Sequence, residues 1–242
     1  MSLLGIDLNA LCGLVAGFAV ACSSAASESE LERGKALWGS RDLSPSTLNL
    51  YSCATCHDAG APGASWTKPG AILAGVTLRR SLWGGQETDL LRALNACRRE
   101  FMVASEPLAA SDPDALALYA YLSSLQPLAP DAVPFTVVRD IEALPRGDAS
   151  LGQSVFTEAC LYCHGLMHSG EGRLGERVPI LPEDTLKEHA EFSARVQRLI
   201  FIEKIRHGLF LGYGGDMPPF SLEVLSDARV SDLLEALGVL GE

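Results

Sequence analysis

The sequence predicts an all-α protein built as two tandem copies of one helical architecture. Three observations lead there. Apolar residues recur at helical spacing after Ser111 (Leu116, Tyr119, Leu122) and after Ser226 (Val230, Leu233, Leu237). The same order of signals runs through the chain twice. No segment alternates apolar and polar residues as a half-buried strand does, Phe135–Val138 being the single candidate.

The elements follow in order. Leu11 to Ala21 is an apolar run, LCGLVAGFAVA, shorter than the roughly 20 residues that span a bilayer and fitting the apolar stretch of an export signal. Residues 1–22 resemble a bacterial lipoprotein signal, with Cys22 as the lipidated residue and Cys12 in the part removed. The alternative is an apolar tail with a free thiol. Ser23–Glu30 reads as a short tether. The first unit covers residues 28–126. It opens with a helix carrying Gly34 and Trp38 and closes with SDPDALALYAYLSSL from Ser111. Pro127, Pro130, Pro134 and Pro145 punctuate a linker over 127–146 that a helix would not tolerate. The second unit covers 147–242. It opens with Gly152 and Phe156 and closes with SDARVSDLLEAL from Ser226. Ser111 and Ser226 are expected to cap the closing helices, with Asp behind each for the helix dipole.

Composition narrows the classes. The chain has 242 residues, 48% hydrophobic and 20% charged, with a formal net charge of −11. That is the composition of a globular protein, and excludes a disordered chain, a collagen and a multi-span membrane protein. Nucleic acid is not an expected partner, because neutralising phosphates needs clustered Lys and Arg. Units of this size with long loops have small cores, so a large apolar group inside each would supply what the side chains lack.

The seven cysteines are decisive. Cys53-Ala-Thr-Cys56-His57 and Cys160-Leu-Tyr-Cys163-His164 both match C-x-x-C-H, the pattern of covalent haem attachment. Two thiols on one helical turn add to the two vinyl groups, and the adjacent His binds iron from the proximal side. A zinc ribbon places its pairs about 15–20 residues apart, whereas Cys56 and Cys160 are 104 apart. A redox CxxC belongs in a βαβ setting, which is absent.

On these motifs the chain resembles bacterial di-haem c-type cytochromes made of two class I cytochrome c domains, over nearly all of residues 28–242. The resemblance implies two covalently bound haem c groups and a bundle in which the first and last helices of each unit cross at Gly34 and Gly152. A proximal His donates its second N–H to a carbonyl, for which Pro62 and Pro179 are the candidates.

Sulfur supplies the remaining ligand candidates. In the second unit it is Met217, in GYGGDMPPFS, 53 residues after His164 and held extended by Pro218. His168 would lie on the same side as His164, and His207 reads as a helix cap or a propionate contact. In the first unit the candidates are Cys97, 40 residues after His57, and Met102, with an open site as the third alternative; the two sulfurs should face different sides of a helix. The N-A-C-x-x-x-x-M segment resembles the haem domain of thiosulfate dehydrogenases, where a Cys in this place binds the catalytic haem iron. Arg98 and Arg99 would then stabilise a thiolate. The five arginines 79, 80, 92, 98 and 99 either pair with haem propionates and nearby acids or attract a small anion. Trp66, Trp83 and Tyr121 read as packing residues.

The expected function is electron transfer outside the cytoplasm, haem 1 to haem 2, on the periplasmic side of a bacterial membrane. Contact with the membrane would be through a lipid anchor at Cys22 alone. The partners would be redox proteins or a membrane respiratory complex. The alternative is a thiosulfate dehydrogenase-like oxidoreductase acting on sulfur anions at haem 1.

Overall fold

A computed structural model describes residues 28–60, 67–125, 135–208 and 217–241. Among them the protein is all-α, and the only β feature is an isolated bridge between Leu82 and Glu87. The export segment with Cys12 and Cys22, Pro62, Trp66, the start of the linker and the glycines before Met217 lie outside the described residues. No described helix is long and apolar enough to cross a membrane.

The first half contains α1 (Glu28–Gly39), the single turn α2 (Cys53–Cys56), α3 (Leu90–Glu100) and α4 (Pro113–Ser124). The second contains α5 (Ala149–Val155), α6 (Leu161–His164), α7 (Glu183–Glu188), α8 (Ala194–Arg206) and α9 (Asp227–Ala236). A π-helical turn, Phe156–Cys160, joins α5 to α6. Local chemistry explains the starts. Asp89 accepts from Arg92 N at α3, Asp148 from Ser150 and Leu151 N at α5, Ser193 from Val196 N at α8 and Ser226 from Arg229 N at α9. Such caps are each worth about 1 kcal/mol.

Ser111 is not a cap. α4 starts at Pro113, whose missing N–H costs nothing in the first turn, while Asp112 Oδ2 accepts from Ala109 N at 2.7 Å. The buried stripe of α4 also differs from the expected one. Leu116 and Tyr119 are exposed, and Ala115, Leu118 and Leu122 face inward. The reason is where α1 lands: a Cβ built at Gly34 would collide with the carbonyl of Ala117 and sit 2.8 Å from Cβ of Tyr121. In α9 the expected residues Val230, Leu233 and Leu237 are all buried. There Gly152 of α5 lies against the carbonyl of Asp232, and its Cβ would come within 2.7 Å of Cβ of Ala236. Helices α1 and α4 therefore pack as closely as α5 and α9 do, each pair through one glycine.

Phe135–Val138 forms no strand. It runs extended along the second half, bonded one residue at a time: Thr136 N donates to Glu223 Oε2 (2.8 Å), Thr136 O accepts from Leu222 N (3.2 Å) and Val138 O accepts from His207 Nε2 (2.8 Å). Two buried arginines unforeseen in the sequence close the second half. Arg206 donates to the carbonyls of Phe220, Ser221 and Leu225 and pairs with Asp227 at 2.6 Å. Arg198 donates to the carbonyls of Val239 and Pro145.

Candidate functional site

The first CxxCH motif is one helical turn with ordered ends. Ser52 N donates to Thr55 Oγ1 (3.0 Å) and His57 N to Cys53 O (2.9 Å). His57 Nδ1 donates to Ala71 O at 2.7 Å, and its Nε2 has no partner among the described residues. Ala71 thus occupies the place expected of Pro62. The ring is fixed from two more sides. A Cβ at Gly70 would strike it, and Trp38 lies 6.5 Å away, itself packed at a tilt against Tyr121 at 5.8 Å. Lys68 ties the loop down, donating to Ala54 O (2.8 Å) and His57 O (3.3 Å) and pairing with Asp58 (3.0 Å).

The second motif reaches the same end by a different route. α5, the π turn and α6 form one run from Ala149 to His164. A π turn widens the helix locally and is common beside functional residues; here it ends on Cys160. His164 is buried, and its Nδ1 donates to Pro179 O at 2.9 Å, as the sequence suggested, leaving Nε2 without a partner among the described residues. In both imidazoles burial pushes the basicity below the ordinary value, and the carbonyl bond only partly opposes it. Each ring is therefore a neutral donor with its lone pair on Nε2.

The thiols match this picture. Burial pushes Cys53 and Cys163 up to about 11 and Cys160 to about 12. Cys56 is also raised well above the usual value, first by burial and then by neighbouring thiols that include Cys163. These are not the low-value thiols of a redox CxxC. No described group of three or more His, Cys, Asp or Glu residues is arranged to hold a metal ion. Paired thiols three residues apart, beside a neutral imidazole whose Nε2 has no partner among the described residues, fit a covalently bound haem and do not fit zinc.

The candidate sulfur ligands fall as follows. Cys97 is half-buried on α3 within electrostatic reach of Cys53, and its thiol is pushed up to about 12 by desolvation. Met102 is 2% exposed and packs with Leu43, Tyr51 and Leu118 against Cys53 and Cys56. Both sulfurs border the first motif. The expectation that they occupy opposed helix faces fails because α3 ends at Glu100 and Met102 lies beyond it. Nor do the arginines serve Cys97. Arg98 donates to the carbonyls of Leu43 and Glu106 and to Asn95, and Arg99 pairs with Glu100. Met217 is half-buried on the cluster that contains Cys160.

Two histidines are committed elsewhere. His168 is exposed and bonded to Glu183 (2.7 Å). His207 is buried between Glu203 (2.7 Å) and Val138 O (2.8 Å). Arg79 donates to the carbonyls of Ile72 and Ala74, and Arg92 pairs with Glu87. Trp83 donates to Ala93 O and stacks on Phe101. The supports the sequence did not flag are Lys68, Gly70 and Ala71; only their closeness to His57 along the chain could have raised them.

The two motifs lie next to each other. Leu174, whose N–H donates to Cys163 O (2.9 Å), packs into the cluster around Cys53 and Cys56. A Cβ at Gly175 would press on Leu50, and Arg177 donates to Leu48 O.

Comparison with known proteins gives three results. No curated protein matches the chain. Among solved structures, the thiosulfate dehydrogenase TsdBA of Marichromatium purpuratum, in its as-isolated form, is similar at 16% identity with a TM-score of 0.42. That match covers 86% of this chain and 45% of that one, so the chain spans less than half the other's length. Residues 147–235 match the family described as cytochrome c oxidase, cbb3-type, subunit III. Residues 147–235 are therefore a cytochrome c family domain, a kind that implies covalently bound haem c.

Proposed function

We propose that the protein is a di-haem c-type cytochrome that carries electrons outside the cytoplasm, entering at the first haem and leaving from the second. The observation that carries this reading is the repeated donor arrangement. In each motif two thiols three residues apart stand beside an imidazole whose Nδ1–H is spent on a carbonyl, Ala71 O or Pro179 O. Cys53, Cys56 and His57 would hold one haem, and Cys160, Cys163 and His164 the other. Cys97 is the proposed second ligand of the first iron and Met217 of the second.

Bound haem iron supplies one-electron chemistry. The chain's own residues do the rest. The two carbonyls fix each imidazole in one tautomer and strengthen it as a donor. A thiolate favours ferric iron and a neutral thioether favours ferrous iron, which sets the first potential below the second. The packing of 174–177 on 48–50 keeps the two motifs adjacent, and supports direct passage between them. The run ending at Cys22 supports an anchor on the periplasmic face, within reach of redox partners or a respiratory complex. The charge of −11 suits a basic partner. The sulfur-anion enzyme draws less support, because Arg79 and Arg98 are spent on backbone carbonyls.

A potentiometric titration of the wild type and Cys97→Ser tests the reading. Two one-electron waves are expected, and Cys97→Ser should move only the lower one upward. A single wave, a Cys97→Ser shift in the higher wave, or steady tetrathionate formation from thiosulfate with ferricyanide as acceptor would overturn it.

A further inference from the structure

We infer that Gly208 is a positioning residue for Met217, setting how deep its sulfur sits in the second half; this rests on the proposed Met217 ligation. Gly208 directly follows His207, the C-cap of α8, at φ +50. A Cβ there would collide with the carbonyl oxygen of Met217 and come within 2.9 Å of its carbonyl carbon and 3.1 Å of that of Pro218. Bare backbone therefore lies against bare backbone at the candidate ligand itself.

The contact cannot be relieved by moving the whole segment. Three residues further on, Phe220 N donates to Ile205 O at 2.8 Å. The buried Arg206 holds the carbonyls of Phe220, Ser221 and Leu225. Segment 217–225 is thus pinned to the end of α8 beyond the contact point. Any atom added at 208 must be accommodated at Met217 and Pro218, and Pro218 limits the conformations open to Met217. Displacement then withdraws the sulfur without unfolding α8 or α9.

Gly238 separates this effect from backbone strain. It too has a left-handed backbone, at φ +69, but a Cβ there meets nothing within 4 Å. The haem-loaded full chain is compared as wild type, Met217→Ala, Gly208→Ala, Gly208→Asn and Gly238→Ala. The readouts are the far-red sulfur-to-iron charge-transfer band of the oxidised protein and the potential of the haem it belongs to. Asn tolerates the left-handed region but still carries the clashing Cβ, so it remains informative if the Ala variant does not accumulate. Both Gly208 variants are expected to lose at least half of the band and to lower that potential. Gly238→Ala should melt earlier yet keep both. A full band and unchanged potential in the Gly208 variants, or equal losses in Gly238→Ala, would overturn the inference. If the wild type shows no such band, or Met217→Ala retains it, the ligand assignment itself falls and the inference falls with it.

Discussion

The two halves reach the same imidazole geometry with very different amounts of protein core. Among its described residues the second half has one continuous cluster of fourteen buried residues, from Val155 and Phe156 through Ile205 to Leu233, Leu234 and Val239. Among the described residues of the first half the core is split. Leu43, Tyr51, Met102 and Leu118 form one group, and Trp38, Val76 and Leu122 another. Cys53 borders both groups. The proposed attachment point of the first haem is therefore the seam of a divided core, whereas Cys160 is one member of a core that is already joined. A large apolar ring at the first seam would merge the two groups; at the second it would add to what exists.

The largest expected effect follows from that contrast. Cys53→Ser with Cys56→Ser should leave α1 and α4 without measurable protection from amide exchange. Cys160→Ser with Cys163→Ser should leave α9 protected, with reduced but finite protection. Hydrogen exchange read by mass spectrometry decides it, and the reverse order of damage would break the comparison.

The next effect probes the two helix pairs. Gly34→Ala and Gly152→Ala each force a side chain into a backbone carbonyl, an overpacking that costs about 1–3 kcal/mol. Thermal melts of the haem-loaded protein should show both losses. Gly34→Ala should show the larger fall, because the divided core beneath α1 has less to lose before it opens. Unchanged melting of Gly34→Ala would contradict the close α1–α4 contact.

The smallest effect is electrostatic and local to the second half. Glu235 is nearly buried, and Arg146 holds it at 2.6 Å with Arg198 behind. The Arg146 hydrogen bond sets its carboxyl below the ordinary value. A carboxyl depressed on folding stabilises the protein above its unfolded-state value, and that contribution disappears as pH falls through the folded-state value. The melting difference between wild type and Glu235→Gln should accordingly be present near neutrality and shrink to nothing in acid. A difference constant across that range would remove Glu235 from the account.

How legible each feature was in the sequence depended on how local its cause is. The CxxCH motifs, Gly34, Gly152 and the cap at Ser226 act within a few residues or recur twice, and one chain suffices to see them. Pro179 was reachable because a carbonyl about one loop away must meet His164. Ala71 was not, since any residue offers a carbonyl and only the fold selects which. Leu116 and Tyr119 misled because α4 has apolar residues on more than one side, and the docking of Gly34 on Ala117 decides which side is covered. Arg98 was read by its neighbour Cys97, yet a long side chain on a helix reaches whichever carbonyls lie across from it, here Leu43 and Glu106. Arg198 and Arg206 are invisible for the same reason: most of their partners are backbone oxygens supplied by remote segments.

Intact mass spectrometry of the denatured protein, expressed where covalent haem attachment occurs, tests the central claim most directly. The wild type should carry the added mass of two haems. Cys53→Ser with Cys56→Ser should carry one, and Cys160→Ser with Cys163→Ser should also carry one. A wild type with a single haem or none, or a paired variant that keeps both, would contradict the account.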